Sequence, residues 1–454
     1  MTALSPIQSA EFVAPTAGAF PTDRVSQSAS SMSALRGRPR RGPGLAPHLR
    51  RRITRDFLPR WHGEWGGKPL TQGLVPGADA VRLDGNDYLS VTGHPRIVQA
   101  QIDSLRCNQD VVVQSSVFQL TGSPTHCLER LLADWVGADC ALLCQSGYAA
   151  NLGLLQVVAD PETPVYIDSL AHMSLWEGVR AAGATAQAFR HNDPAHLERM
   201  IQRHGPGLVI VDSVYSTTGA LCPLADVIDI VHRHDCMVLV DESHSLGTHG
   251  PQGRGLCAEL GLTDRVHFIS ASLAKAFAGR AGFFTMPDEL RYYLMSRSFP
   301  SIFSSSLLPH EVAGLSATLD VLRDSDAARA RLRRHTVRVR QCLSGLGYPI
   351  AHGSEQIVAL EAGPEVNTLV LRDALESRGI FGAVFAAPAT ARNRSMVRLT
   401  LSAALTDAEL GHLEQVAADV APLVRPWEWP IARRQRANAT PGGASVVDPA
   451  PCLT

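Results

Sequence analysis

"GLVIVDSVYSTTGALCPLADVIDIVHRHDCMVLVD", residues 207–241, sets two short apolar runs on either side of a helix-patterned stretch. The runs GLVIVD (207–212) and CMVLVD (236–241) are dominated by Val, Leu and Ile, and each closes on an aspartate. Runs this short and this rich in β-branched residues predict strands. Between them PLADVIDIVHRHD (223–235) spaces its apolar residues at helical intervals and predicts the connecting helix. Strand, helix and strand in that order indicate an α/β domain with a largely parallel sheet.

The alternation continues in both directions. CALLC (140–144), PVYID (164–168), VHFIS (266–270) and GFFTM (282–286) predict further strands, and CLERLLADWVG (127–137) a further helix. A long helical pattern around 310–335 leads into QIVALEAG (356–363), TLVLRDALESRGI (368–380) and MVRLTLSA (396–403), which suggest a smaller α+β domain. Both ends are rich in Ser, Ala, Pro and Gly and lack periodicity, as disordered tails do. The expected organisation is therefore a tail at 1–48, an N-terminal arm at 49–95, a large domain at 96–309, a small C-terminal domain at 310–428 and a tail at 429–454. No internal repeat is evident.

With 454 residues, 45% of them hydrophobic and 19% charged, the chain has the composition of an ordinary globular protein. A net charge of -1 gives no electrostatic reason to expect nucleic acid as a partner. The segment RGRPRRGPGLAPHLRRRITR (36–55), with eight arginines and no acid, reads as a solvated basic arm or as a contact for a polyanion or membrane surface. No apolar run approaches a membrane span, and the N-terminus lacks the build of a signal peptide. Nine scattered cysteines without C-x-x-C pairs fit a reducing cytoplasm. The histidines make no metal-binding motif, and no metal is expected.

Polar residues gather where the strands end, the place at which open α/β sheets bind ligands. Asp212 and Asp241 close two strands, and Lys275 in SASLAKAFAGRAG (270–282) follows a third. QSGYAAN (145–151) follows a fourth and opens a helix at Gly147, whose N-terminus suits a phosphate. Of 42 basic residues only Lys68 and Lys275 are lysines. An ammonium can lose its proton when desolvated, whereas a guanidinium cannot, so only lysine can form a Schiff base or act as a base. Amine, carboxylate and phosphate-binding helix start together describe a site for pyridoxal 5'-phosphate. Asp241 would keep the pyridine nitrogen protonated, although an aspartate after a strand also serves as a helix cap. His244 suits the ring oxygen, His172 a stacking role, and Ser272 the phosphate. Each of these residues, taken alone, reads equally well as structural.

GSPTHCLERLLADWVG (122–137), SGYAANLGLL (146–155), AHMSLWEG (171–178), VDESHSLGTHGPQGRG (240–255) and SASLAKAFAGRAG (270–282) resemble the α-oxoamine synthases, pyridoxal-phosphate enzymes of fold type I. IQRHGPGLVIVDSVYSTTGALCPLAD (201–226) and MVRLTLSA (396–403) resemble most the quorum-sensing autoinducer synthases of the CqsA type. The likeness runs from about residue 50 to 425, with its blocks in order. It implies a large domain with a mostly parallel seven-stranded sheet and a smaller C-terminal α+β domain. It also implies that Lys275 is the Schiff-base lysine, that Asp241 and His244 face the ring, and that His172 stacks on it. By the same likeness, Gly147, Tyr148 and Ser272 hold the phosphate and Ser216 adds a polar contact. The likeness also implies a homodimer in which FSSSLLP (303–309) lends Ser304 or Ser305 to the neighbouring subunit's phosphate. Asn86 of NDYL, Thr390 of APAT and Arg398 of VRLTLS match substrate-side positions.

Alternation in that last strand sets Arg398, Thr400 and Ser402 on one face. A cation there suits a two-pronged grip on an amino-acid carboxylate, although an exposed strand arginine would look the same. General members of the superfamily carry a Pro- and Gly-containing turn before this strand, where the present chain has TARNRS (390–395), as in the autoinducer branch. The implied reaction joins a medium-chain fatty acyl-CoA to a small amino acid, such as 2-aminobutyrate, or to S-adenosylmethionine. Loss of the carboxylate then leaves an α-aminoketone. Two rivals stand beside it: an oxoamine synthase of the serine palmitoyltransferase or 8-amino-7-oxononanoate type, and a cofactor-binding regulator without turnover.

Overall fold

The computed structural model describes residues 44–107 and 113–432. Most of the two expected tails, including the arginines at 36–41 and Cys452, lies outside the described residues. The chain divides into two units, Met1–Lys68 and Pro69–Thr454. In the first, helix Pro47–Arg52 runs into π-helical turns Ile53–Phe57 and Arg60–Glu64. Phe57, Trp61 and Trp65 contact one another with ring centroids 5.6–6.3 Å apart, and the Arg60 guanidinium lies 5.1 Å from the Trp65 ring. Helix therefore begins inside the expected tail, at Pro47.

The second unit carries two sheets. In chain order their strands are β1 (Val81–Leu83), β2 (Cys140–Cys144), β3 (Val165–Asp168), β4 (Ala186–Phe189), β5 (Leu208–Asp212), β6 (Met237–Asp241), β7 (Phe268–Ser272), β8 (Gly282–Met286), β9 (Ile357–Gly363), β10 (Ile380–Phe385) and β11 (Ser395–Thr400). The large sheet has seven strands in the order β2-β8-β7-β6-β5-β3-β4, and every pairing except those of β8 is parallel. β7 begins two residues later than VHFIS suggested, at Phe268. β4, an edge strand of sequence AQAF and half-open to solvent, has too few apolar residues to be read from sequence.

Alternating side chains explain why these strands are apolar throughout. Val209, Val211, Val238 and Val240 meet Leu197, Ile201, Val227, Ile228 and Val231 of helices Pro194–His204 and Leu224–Arg233. Leu208, Ile210 and Leu239 point the other way, into a core with Leu154, Leu155, Leu175 and Val179 of helices Gly147–Val158 and Met173–Ala181. A sheet covered on both faces has no polar side, and each fully buried Leu or Ile contributes about 1.5–3 kcal/mol.

The small sheet is ordered β1-β10-β11-β9, with β1 parallel to β10 and the other pairs antiparallel. β1 comes from the 49–95 segment, so that segment supplies a strand to the small sheet. A third core runs from Leu128, Trp135 and Phe283 through Leu315 and Leu319 to Ile357, Leu399 and Leu413, joining the two sheets. Trp429 and Ile431 belong to it, which carries ordered chain past residue 428. Among the described residues no helix is long and apolar enough to cross a membrane. The eight described cysteines are free thiols.

Candidate active site

Asp168, Asp212 and Asp241 end β3, β5 and β6 on the same rim, and all three are buried. Asp241 accepts hydrogen bonds on both oxygens, from the Ser243 N–H at 2.9 Å and from Asn151 Nδ2 at 2.7 Å. Asn151 Nδ2 also donates to Ser174 Oγ at 2.9 Å, which lies 2.7 Å from His172 Nδ1. With its lone pair facing Asn151, the Ser174 hydroxyl turns its proton to Nδ1, leaving the His172 proton on Nε2. His172 is exposed, and its backbone N–H donates to Asp212 at 2.9 Å. Burial, with Asp241 and then Asp168 adding negative charge, holds the Asp212 carboxyl well above the usual range.

Lys275 follows β7 in a tight turn, with the Ala278 N–H on its carbonyl at 2.8 Å. Burial lowers its pKa below the ordinary lysine value; the Arg398 charge adds to this and Asp241 opposes it. His172 is exposed as a residue, yet the packing around its ring lowers its pKa, against Asp241 and with Lys275. His244 is fully enclosed, and burial followed by Lys275, Arg398 and His172 pushes it well below 6.5. The charges of the amine, the carboxylate and the two imidazoles thus act on one another.

Of the residues expected on the substrate side, the structure joins Arg398 and Asn86. Arg398 is buried, donates to Asn86 Oδ1 and to the Ser216 carbonyl at 2.9 Å each, and stacks over Phe385 at 4.5 Å. It is not the exposed strand arginine that sequence left open. Its Nε and the Thr390 hydroxyl are buried without a hydrogen-bond partner among the described residues.

Gly147 opens helix Gly147–Val158 against β7 and β8. A Cβ on it would lie 2.5 Å from Ser272 Cβ, and one on Gly282 would lie 2.4 Å from Gly147 N. This contact presses the helix start and Ser272 together. Tyr148 is exposed beside them. Ser305 accepts from Gln145 Nε2 at 2.6 Å, two residues before Gly147, and Ser304 precedes it on the same segment.

Sequence reading missed Asn151, which lies one helical turn beyond Gly147 and so faces the same rim. It also missed Tyr88, two residues after Asn86, whose hydroxyl bonds to His244 Nδ1, and Gln356, which donates to the His244 carbonyl at 2.9 Å. Phe385 lay in a strand that sequence did not identify.

The aminotransferase class I and II family model matches residues 78–416. The chain belongs to that family, as an α-oxoamine synthase. It is 48% identical to the CAI-1 autoinducer synthase of Vibrio campbellii over 346 residues, 76% of this chain and 88% of that one. It is 30% identical to 8-amino-7-oxononanoate synthase 1 of Bacillus velezensis over 353 residues, 76% and 90% of the two chains. Among solved structures, Sphingomonas wittichii serine palmitoyltransferase superposes with a TM-score of 0.72 at 25% identity, covering 76% of this chain and 88% of that one. The chain is thus a fold type I, pyridoxal-phosphate-dependent C-acyltransferase.

The residues fit that cofactor. A carboxylate anchored on both oxygens, a desolvated amine, an exposed imidazole and a helix start packed against Ser272 would suit its ring, aldehyde and phosphate.

Proposed function

We propose that this α-oxoamine synthase condenses a medium-chain fatty acyl-CoA with a small amino acid, 2-aminobutyrate-like, or with S-adenosylmethionine. The amino acid loses its carboxylate, and the α-aminoketone formed is the precursor of a quorum-sensing signal. The observation that carries this reading is 48% identity to a CAI-1 autoinducer synthase across 88% of its length, well above the 30% shared with the 8-amino-7-oxononanoate synthase.

Bound pyridoxal phosphate supplies an aldehyde that captures amines and a ring that takes up the electrons of an α-carbanion. Asp241, fixed by Asn151 and Ser243, holds the proton on the ring nitrogen. Lys275 would hold the cofactor and serve as the base for the α-proton, since its lowered pKa favours the free amine. His172 would lie against the ring and present Nε2–H toward developing negative oxygen. His244 faces the ring oxygen, while Ser216 lies beside Arg398. The N–H groups of Gly147 and Tyr148, with Ser272 and Ser304 or Ser305, hold the phosphate. Arg398 grips the substrate carboxylate, with Asn86 fixing one arm of the guanidinium and Thr390 adding a hydroxyl.

The working enzyme is a cytoplasmic homodimer. Its free thiols suit a reducing compartment, and exposed Phe299 and Phe303 offer an apolar face near Ser304.

Release of the CoA thiol, measured across acyl-CoA chain lengths and amino acids, tests the reading. The highest kcat/KM is expected with a medium chain and 2-aminobutyrate or S-adenosylmethionine. A preference for serine with palmitoyl-CoA would overturn it in favour of the serine palmitoyltransferase alternative.

A further inference from the structure

Tyr88 is fully buried, and its hydroxyl meets His244 Nδ1. A phenol and a neutral imidazole can share that bond in two ways, and the two leave the histidine proton on opposite nitrogens. If Nδ1 donated, the Tyr88 hydrogen would need a second acceptor. Among the described residues the hydroxyl has no other hydrogen-bond partner. If Tyr88 donates, both groups are satisfied by one bond. Burial disfavours ionisation of either group. Burial raises the Tyr88 phenol far above its ordinary value, and burial with Lys275, Arg398 and His172 keeps His244 neutral.

The surroundings fix the pair in place. Asp87 accepts from the Val91 and Thr92 N–H groups at 2.9 and 2.8 Å, closing the loop that carries Tyr88. The Ala403 N–H reaches the Tyr88 carbonyl at 2.8 Å, and Gln356 holds the His244 carbonyl. The ring nitrogen left over, Nε2, has no partner among the described residues.

We propose that Tyr88 is a positioning residue that sets the tautomer of His244, donating to Nδ1 so that Nε2 keeps its hydrogen and presents it as a donor to the cofactor's ring oxygen. The destination of that hydrogen rests on the cofactor reading above; the tautomer itself does not. Asn86 and Tyr88 share one loop, so the same segment steadies the arginine and orients the histidine.

The test is the histidine ring ¹⁵N spectrum of the full-length holoenzyme, with His244 assigned by its loss in His244→Asn. Wild type should show Nδ1 as the bare nitrogen and Nε2 as the protonated one. Tyr88→Phe keeps the buried ring and removes the donor, so the His244 signals should move toward a mixture of tautomers. In the same variant the pH titration of the bound cofactor's visible absorbance should shift, and turnover should fall on the order of tenfold. A protonated Nδ1 in wild type, or unchanged His244 signals in a folded Tyr88→Phe, would overturn the proposal. If the protein bound no pyridoxal phosphate but kept the Nε2–H form, the cofactor reading would fail and the tautomer assignment would stand.

Discussion

Burial and the Asp241 charge act in opposite directions on the Lys275 ammonium. The pKa of the Lys275 ammonium lies below the ordinary lysine value because burial outweighs the carboxylate that pulls it up. The neutral amine therefore accumulates at lower pH than in an exposed lysine. Replacing Asp241 with Asn removes the opposing charge while keeping the shape, so the Lys275 pKa should fall further. Labelling the cofactor-free chain with a small amine-acylating reagent over a pH series checks this, because peptide mapping distinguishes Lys275 from the exposed Lys68, the other lysine in the chain. The midpoint for Lys275 should move to lower pH in Asp241→Asn, and a shift to higher pH would contradict the pairing. The lysine, the aspartate and both histidines were legible because each is a reactive residue just past an apolar run. Asn151 and Tyr88 were not, since an amide inside a helix and a tyrosine in a loop look like any others until the fold brings them within hydrogen-bond range.

Helix Gly147–Val158 owes its position to what its first residue lacks. Ser146 caps it by accepting the Ala149 N–H at 3.1 Å, and Gly147 lets the backbone come down on Ser272. A methyl at 147 would lie 2.8 Å from the Ser272 Cα, a backbone atom that cannot swing away. Gly147→Ala should therefore push the helix start off β7 at a cost of about 1–3 kcal/mol. The expected result is a melting temperature several degrees lower and cofactor affinity weaker on the order of tenfold, read by thermal unfolding and by titration of the absorbance. An unchanged affinity would separate the helix start from the phosphate. Most elements of the large sheet could be read from sequence because strands buried on both faces must be apolar along their whole length. β4 at the edge, half-open to solvent, carries no such signature. The single helical pattern near 310–335 proved to be two helices, Pro309–Arg323 and Asp326–Gly345, parted at Asp324 and Ser325.

If Ser304 or Ser305 serves the phosphate as proposed, whether one chain's active site is complete turns on which rim they reach. In the single chain the Ser305 carbonyl takes Gln145 Nε2, which sets the segment near its own helix start. The apolar residues around it stay open: Phe303 is 77% exposed, Phe299 57% and Phe118 64%. Rings of that size left in water favour a partner surface, and a second copy lying there would bring its own serines to the neighbouring rim. Mixed dimers decide between a serine acting within its own chain and one acting across. Lys275→Arg keeps the serines but loses the amine, and the double change Ser304→Ala, Ser305→Ala keeps the amine but loses the hydroxyls. Each pure protein should be impaired. If the hydroxyls act across the interface, a purified mixed dimer rebuilds one intact site, which pairs the wild-type lysine of one protomer with the wild-type serines of its partner. Activity per such dimer should then approach half that of wild type. If the hydroxyls act within their own chain, no site in the mixed dimer is whole, and its activity per dimer is about half that of the pure serine variant.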